Sequence, residues 1–500
     1  MAWYFTYIII YFLIMFAIGT YYFFKVKDAD SYLIASWNMG FWNIVGTTIS
    51  TNCGAAVFVG WVGMGFTVGM SGYFKFAFPA YLVSMILILV FSKPLRRQKL
   101  YTLADLFSER FGSKVGIIPS ILSAFIYSVP TTALQMVGMS TVFTIVFDMD
   151  PKIGIALSFV LVLSFTILGG LVATIVTDTL QSVILLLGIF VLTYTALKYG
   201  GGISQIVDNT PNAYLSPKGP NGLGEVLMFS LSVAPFYLIW QSTWQRIFAS
   251  KSEKVAVGAG LTGTALTMVI AILPFSIGVA ARQFLSLDTH PDLIFSHVTV
   301  ELLPPAVGGV VVVGLLAALM TGADSFILQG SSNITQDLYF RLMNPNASAK
   351  NMMFAARLSV VIIAALALMV SYFMTDIVSM YQWALRLSAT VLVFPFLAIM
   401  LWRKTTSKGI VASMIAAGLI TIIWPFLGIS IDAVIPGFIA SFVVLIVVSL
   451  ITKHSLSETV KAVLWEDLPS ATRNMDQQEA EEKEVVGAST IIAKNNTGSI

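Results

Sequence analysis

Thr321 and Asp324 stand three residues apart in the run Ala317-Ala318-Leu319-Met320-Thr321-Gly322-Ala323-Asp324-Ser325. On a helix that spacing places both side chains on one face. A hydroxyl and a carboxylate there are oxygen ligands of the kind a hard cation such as sodium takes. Ser325, Ser331, Ser332 and Asn333 continue the polar content. A helix-packing seam explains the small residues of the run but not its carboxylate. A second run has matching chemistry: Gly46-Thr47-Thr48-Ile49-Ser50-Thr51-Asn52-Cys53-Gly54-Ala55-Ala56 carries four hydroxyl side chains, an amide and two glycines. This composition predicts a helix break whose freed carbonyls face a cavity. Ser230-Leu231-Ser232-Val233-Ala234-Pro235 carries a similar flaw.

Four ionisable residues interrupt otherwise apolar runs: Lys75, Asp178, Asp324 and Arg386. A charge is expensive in hydrocarbon, so each is either paired or functional. Lys75 reads as one half of a structural ion pair or as a group near a span end. Asp178 and Arg386 fit pairing and function equally, and Asp324 favours function. Arg386 lies beside Gln382, Trp383 and Ser388. It either grips a substrate carboxylate as a bidentate fork or neutralises Asp324 or Asp178 across a cavity. Asn52, Gly54, Trp61, Phe76, Tyr127, Phe236, Gln382, Trp383 and Arg386 are the candidate solute-pocket residues, with Tyr237 as a further aromatic.

The elements that must hold these groups are membrane helices. Hydrophobic residues make up 57% of the 500 and charged residues 11%, against about 25% charged in a soluble domain. The mean hydropathy is +0.86. Apolar runs follow one another at 3–24, 41–63, 72–92, 115–146, 153–169, 172–198, 223–242, 256–280, 302–332, 356–374, 377–402, 409–427 and 432–452. They predict an all-α integral membrane protein of about 13 spans. Pro130 predicts a tilt or kink in the long run 115–146. The segment 101–111 reads as an amphipathic helix on the cytoplasmic face. We divide the chain into a transmembrane domain, 1–455, and a polar, largely disordered cytoplasmic tail, 456–500.

With the N-terminus outside, about 18 Lys and Arg residues fall on the cytoplasmic side. These include the loops holding Arg96 and Arg97, Arg246 and Lys251, Arg341 and Lys350, and Arg403 and Lys404. The opposite side keeps about four: Lys152, Lys198, Lys218 and Arg282. The C-terminus is then cytoplasmic and the protein sits in the cell membrane.

Several function classes are excluded. A net charge of +3 with no basic aromatic patch gives no footprint for nucleic acid. A single cysteine, Cys53, forms no intrachain disulfide or cysteine metal cage, and His290, His297 and His454 lack ligand spacing. No nucleophile–base pair supports an enzyme. No organic cofactor is expected. The polar residues form a pocket and not a continuous stripe, which argues against a channel.

The chain resembles the sodium:solute symporters over roughly residues 5–455. The match is most specific at Gly169-Gly170-Leu171-Val172-Ala173-Thr174-Ile175-Val176-Thr177-Asp178-Thr179-Leu180-Gln181. Gln245-Arg246 with Ala249-Ser250-Lys251-Ser252 resembles the family's cytoplasmic turn, and Ala317 to Tyr339 its sodium-site helix. The resemblance implies a leucine-transporter-like fold. Spans 2–6 and 7–11 would form an inverted five-helix repeat, with one extra N-terminal and two C-terminal helices. It also implies a sodium site on the carbonyls of Ser50 and Cys53 together with Ala318, Thr321 and Gly322. Gly322 departs from the family's usual Ser or Thr and offers no hydroxyl. Asp178, Asp324 and Ser325 would form a second cation or proton site.

The resulting expectation is a symporter that couples inward sodium flux to uptake of a small polar organic solute, as a monomer or weak oligomer in the bilayer. Proton coupling through Asp324 and a non-transporting solute sensor are the alternatives. Sodium is preferred because Thr321 and Asp178 remain in place.

Overall fold

The computed structural model describes residues 2–54, 56–373 and 377–453. The tail 456–500 lies outside them. The described residues are helical and contain no strand, only an isolated bridge between Met39 and Ser250. Helix α1 (Ala2–Lys25) comes first. The second apolar run divides into α2 (Phe41–Asn52) and α3 (Val62–Val68), joined through Cys53 and Gly54 and a π-helical turn. Then follow α4 (Phe78–Arg97), α5 (Leu103–Phe111), α6 (Ser128–Phe147) and α7 (Pro151–Tyr199). The second half holds α8 (Leu223–Val233), α9 (Gln241–Ala249), α10 (Glu253–Ile270), α11 (Ile272–Ala281) and α12 (Pro305–Ser332). It closes with α13 (Ala349–Phe373), α14 (Ile377–Leu401), α15 (Ser407–Ile423) and α16 (Val434–Ile451).

Among the described residues, 11 helical segments are long and apolar enough to cross a membrane. The sequence suggests about 13, and the difference falls at two places. Neither α2 nor α3 is long enough alone, because the helix breaks between them. Helix α7 runs for 49 residues, or about 73 Å, more than twice the hydrocarbon thickness. It turns at Gly170, whose φ of 57° and ψ of −157° are not helical. An added Cβ there would lie 2.6 Å from the Tyr32 carbonyl oxygen, so both conformation and space demand glycine. The carbonyls of Thr166 and Ile167, freed by the turn, accept the Tyr32 hydroxyl at 3.1 and 3.3 Å.

Near Pro130, where the sequence predicts a tilt or kink, the helix changes its hydrogen-bond register. A π-helical stretch over Leu122–Tyr127 precedes α6. Proline has no N–H to donate. Hydroxyls add bonds to the neighbouring carbonyls: Ser128 donates to Ser123 at 2.7 Å, and Thr131 to Tyr127 at 2.6 Å.

Helix α5 corrects the sequence reading. It does not lie on a surface, since Leu103 to Ser108 and Arg110 are all buried. Its buried charges, Asp105 and Arg110, find partners within the protein and so need no water; Glu109 is exposed. Asp105 closes a capping box with Thr102 and accepts Arg341 at 3.0 Å. The Thr102 hydroxyl donates to Asp337 at 3.0 Å. Arg110 donates to the carbonyls of Ile399, Trp402 and Arg403 and so caps the end of α14. Burial pushes the Arg110 guanidinium down to about 10.

Helix α12 is the axis of the bundle. It packs against α1, α2, α6, α7 and α13, and every residue from Val311 to Ser332 is buried. Polar groups on this helix therefore find their partners inside the protein.

Candidate cation and solute sites

The breaks decide where polar groups collect. At the end of α2 the chain leaves the helix at Cys53 and Gly54, and Tyr81 donates to the freed carbonyl of Asn52 at 3.4 Å. In the second half, Pro235 lies in the short 3-10 turn Ala234–Leu238 between α8 and α9. The two flawed runs are thus real interruptions, and the first run together with Tyr237 and Trp240, which follow the second, borders one small cavity of about 40 Å³. Thr51, Asn52, Gly54, Trp61, Phe76, Tyr127, Gln135, Tyr237, Trp240 and Tyr381 are among its lining residues.

Below the first break, α2, α7, α9 and α12 meet around a buried oxygen cluster. Thr47 donates to Asp178 Oδ2 at 2.5 Å, and Ser50 Oγ to the Asp178 carbonyl at 2.7 Å. Thr51 and Ser325 hydroxyls are 3.2 Å apart. Asp324 accepts the Thr166 hydroxyl on Oδ1 at 2.5 Å. Asp178 Oδ1 and Asp324 Oδ2 are both buried without a hydrogen-bond partner.

Arg246 enters the same cluster from α9. Its Nε donates to Thr47 at 3.0 Å, Nη1 to the Ser242 carbonyl at 2.9 Å, and Nη2 to Thr51 and to Ser325 at 2.7 Å. The same Nη2 lies 3.5 Å from Asp178 Oδ2. The sequence predicts a cytoplasmic loop around Arg246, and the structure instead carries it on α9. It is 3% exposed and counters a buried carboxylate. Arg246 pairs with Asp178, whereas Asp324 bonds Thr166; with both carboxylates ionised, the three groups would sum to −1. A dry site of that kind favours one further cation.

The residues assigned to the first cation site lie on the two helices flanking this cluster. Ser50 and Cys53 end α2; Ala318, Thr321 and Gly322 lie on α12, and all five are buried. Thr321 Oγ1 donates to Gln181 Oε1 at 2.7 Å. A Cβ on Gly322 would sit 2.9 Å from Gln135 Oε1, and one on Gly54 would sit 3.2 Å from it. The Gln135 carboxamide of α6 thus fills the space beside both glycines.

The solute candidates separate. Asn52, Gly54, Trp61, Phe76 and Tyr127 line the small cavity, and Phe236 packs on Tyr127 at 4.7 Å between ring centres. Gln382 and Arg386 line an adjoining cavity of about 210 Å³ that shares Trp61, Phe76 and Tyr381. Trp383 lines neither; it is 40% exposed and borders another cavity with Trp424 and Asp432. The carboxylate opposite Arg386 is Asp432, at 3.5 Å. Of the two roles weighed for Arg386, this removes neutralisation of Asp178 or Asp324, because Asp178 takes Arg246 and Asp324 takes Thr166. Lys75 forms the expected structural pair, with Glu225 at 2.6 Å.

Sequence reasoning missed Arg246, Gln135, Trp240 and Tyr381. The Trp240 indole N–H is buried without a partner beside the small cavity. The interruption at 234–240 was the available signal for Trp240. Nothing local marks Gln135.

Two interrupted helices around one cavity, with a polar cluster beside them, define a transporter of the leucine-transporter-like fold. Solved structures share this architecture. A Na+-coupled sialic acid symporter in a substrate-bound outward-open state superposes with a TM-score of 0.81 at 16% identity, over 91% of this chain and 99% of that one. The nucleobase-cation-symport-1 family transporter Mhp1 in a closed conformation gives 0.61 at 13%, over 86% and 97%. At these identities the likeness concerns the fold. Residues 32–417 match the sodium:solute symporter family, and the chain belongs to it. It is 28% identical over 476 residues to the osmoregulated proline transporter OpuE of Bacillus subtilis, covering 89% of this chain and 94% of that protein. The sodium/glucose cotransporter of Vibrio parahaemolyticus is 26% identical over 435 residues, 78% of each chain. The chain is a transporter and not an enzyme.

Proposed function

We propose that the chain couples an inward sodium gradient to uptake of a small polar organic solute. The observation that carries this is the buried cluster beside the break in the α2–α3 span, where two carboxyl groups, Asp178 and Asp324, accompany a single guanidinium, Arg246, and each keeps an oxygen without a hydrogen-bond partner. Sodium binds the carbonyls of Ser50 and Cys53 with Ala318, Thr321 and Gly322. Asp178, Asp324 and Ser325 serve a second cation. Binding draws α2 and α12 together and favours the outward-facing, solute-competent state; without such a difference between states no coupling arises. The two repeat units then rock about the midplane site. The reading puts the protein in the cell membrane with its basic ends cytoplasmic.

The solute occupies the aromatic cavity around Trp61, Phe76 and Tyr127. Related proteins named for proline and for glucose support a small polar molecule without selecting one. A competing reading, favoured by the unpartnered Asp324 oxygen, makes that carboxyl a proton carrier. Uptake into proteoliposomes of amino acids, short carboxylates and sugars, under sodium or proton gradients imposed separately, decides between them. Uptake driven only by protons refutes sodium coupling. Solute binding without uptake under either gradient indicates a sensor.

A further inference from the structure

Helix α1 lies outside the repeat, yet one of its side chains reaches the candidate cation site. Its buried face carries Tyr4, Ile8, Tyr11, Phe12 and Met15 at helical spacing, and its opposite face exposes Phe5, Ile9 and Leu13. That buried face packs on α7 and α12. There the Tyr11 hydroxyl accepts Gln181 Nε2–H at 2.6 Å and donates to Met320 Sδ at 3.5 Å. Gln181 Oε1 in turn accepts the Thr321 hydroxyl at 2.7 Å. The loop of contacts closes on itself, because Met320 and Thr321 are neighbours.

We propose that Tyr11 is a positioning residue for the cation site, acting through Gln181 on the Thr321 hydroxyl. This rests on the sodium reading above, in which Thr321 is a ligand. A hydroxyl ligates a cation through its lone pairs and must send its hydrogen elsewhere. Gln181 Oε1 receives that hydrogen. The amide keeps its oxygen toward Thr321 because Tyr11 accepts from its nitrogen. Gln181 is fully buried, so both ends of its amide need protein partners. Without the Tyr11 hydroxyl, the buried N–H loses its acceptor. Turning the amide relieves that loss, but brings its NH2 to the Thr321 oxygen and occupies a lone pair the cation uses.

The test needs no knowledge of the solute. The melting temperature of the purified full chain is titrated with sodium chloride, with choline chloride holding total salt constant, and the apparent sodium dissociation constant is read from the shift. Tyr11→Phe keeps the ring and removes the hydroxyl. It is expected to raise the constant about tenfold, equivalent to about 1.4 kcal/mol. Gln181→Met, which removes both bonds at similar volume, is expected to do the same. Combined with Thr321→Ala, Tyr11→Phe is expected to add nothing further. An unchanged sodium constant in Tyr11→Phe overturns the proposal, even if its sodium-free melting temperature falls. So do effects of Tyr11→Phe and Thr321→Ala that multiply. A wild-type chain with no sodium-specific stabilisation refutes the cation site itself, and the relay with it.

Discussion

Replacing Arg246 by Met tests the charge balance of the buried cluster most directly. The guanidinium serves Thr47, Thr51, Ser325, the Ser242 carbonyl and Asp178 at once. Both partners of the ion pair are nearly inaccessible, with side-chain exposures of 3% and 0%. Removing one member of such a pair strands the other, at about 3–5 kcal/mol. With both carboxylates ionised, the net charge of the cluster falls from −1 to −2, so its demand for an external cation increases. Sodium at 100 times its dissociation constant contributes about 2.7 kcal/mol of stabilisation, which offsets part of the loss. Arg246→Met is therefore expected to melt well below the wild type in choline chloride and to recover partly in sodium chloride. Adding Asp178→Asn removes the stranded charge and is expected to restore sodium-free stability by about 1–3 kcal/mol. The measurement is thermal unfolding of all variants in both salts. An Arg246→Met chain as stable as wild type in choline chloride refutes the reasoning, as does a double variant no more stable than the single one.

Asp324→Asn is expected to abolish sodium dependence of uptake while leaving a folded protein; unchanged sodium dependence in proteoliposomes removes Asp324 from the ligand set. Gly322→Ala places a methyl group 2.9 Å from the Gln135 carboxamide and is expected to cost about 1–3 kcal/mol by overpacking, read as a lower melting temperature. Gly170→Ala meets both a positive φ and the Tyr32 carbonyl, so a loss of at least about 1 kcal/mol is expected, visible as reduced yield of folded protein. Arg386→Ala breaks a partly exposed pair with Asp432 and is expected to change stability by less than about 1 kcal/mol. A larger drop in melting temperature counts against that view of the pair.

Much of the scaffold was legible in the sequence, because hydropathy is a local sum. A run of about 20 apolar residues is a span whatever surrounds it. The interruptions at Ser50–Gly54 and Ser230–Pro235 were legible for the same reason: polar and helix-breaking residues in such runs stand out within a few positions. Asp178 and Asp324 stood out as carboxylates amid apolar neighbours, and both lie in the buried cluster. The exact number of spans was not legible, since a turn at one glycine inside 49 helical residues and a break within 41–68 leave the count to geometry.

Partnership was decided only by the tertiary structure. Arg246 follows the apolar run 223–242 by a few residues and so resembles a loop residue. Only the course of α9 through Ala249 carries it back among Thr47, Thr51 and Asp178. Helix α5 has the alternation of a surface helix, and only its contacts with Asp337, Arg341 and the end of α14 show that it is buried. Arg386 faces Asp432, and Gln135 faces Gly54 and Gly322, through approaches that no spacing encodes. Thr321 and Asp324, three residues apart, were visible as an oxygen pair from the start. Which way the Thr321 hydroxyl points depends on Gln181 and Tyr11, brought there from two other helices. An ionisable or hydrogen-bonding group announces by its type that it needs a partner, but the partner is chosen by packing between helices far apart in the chain.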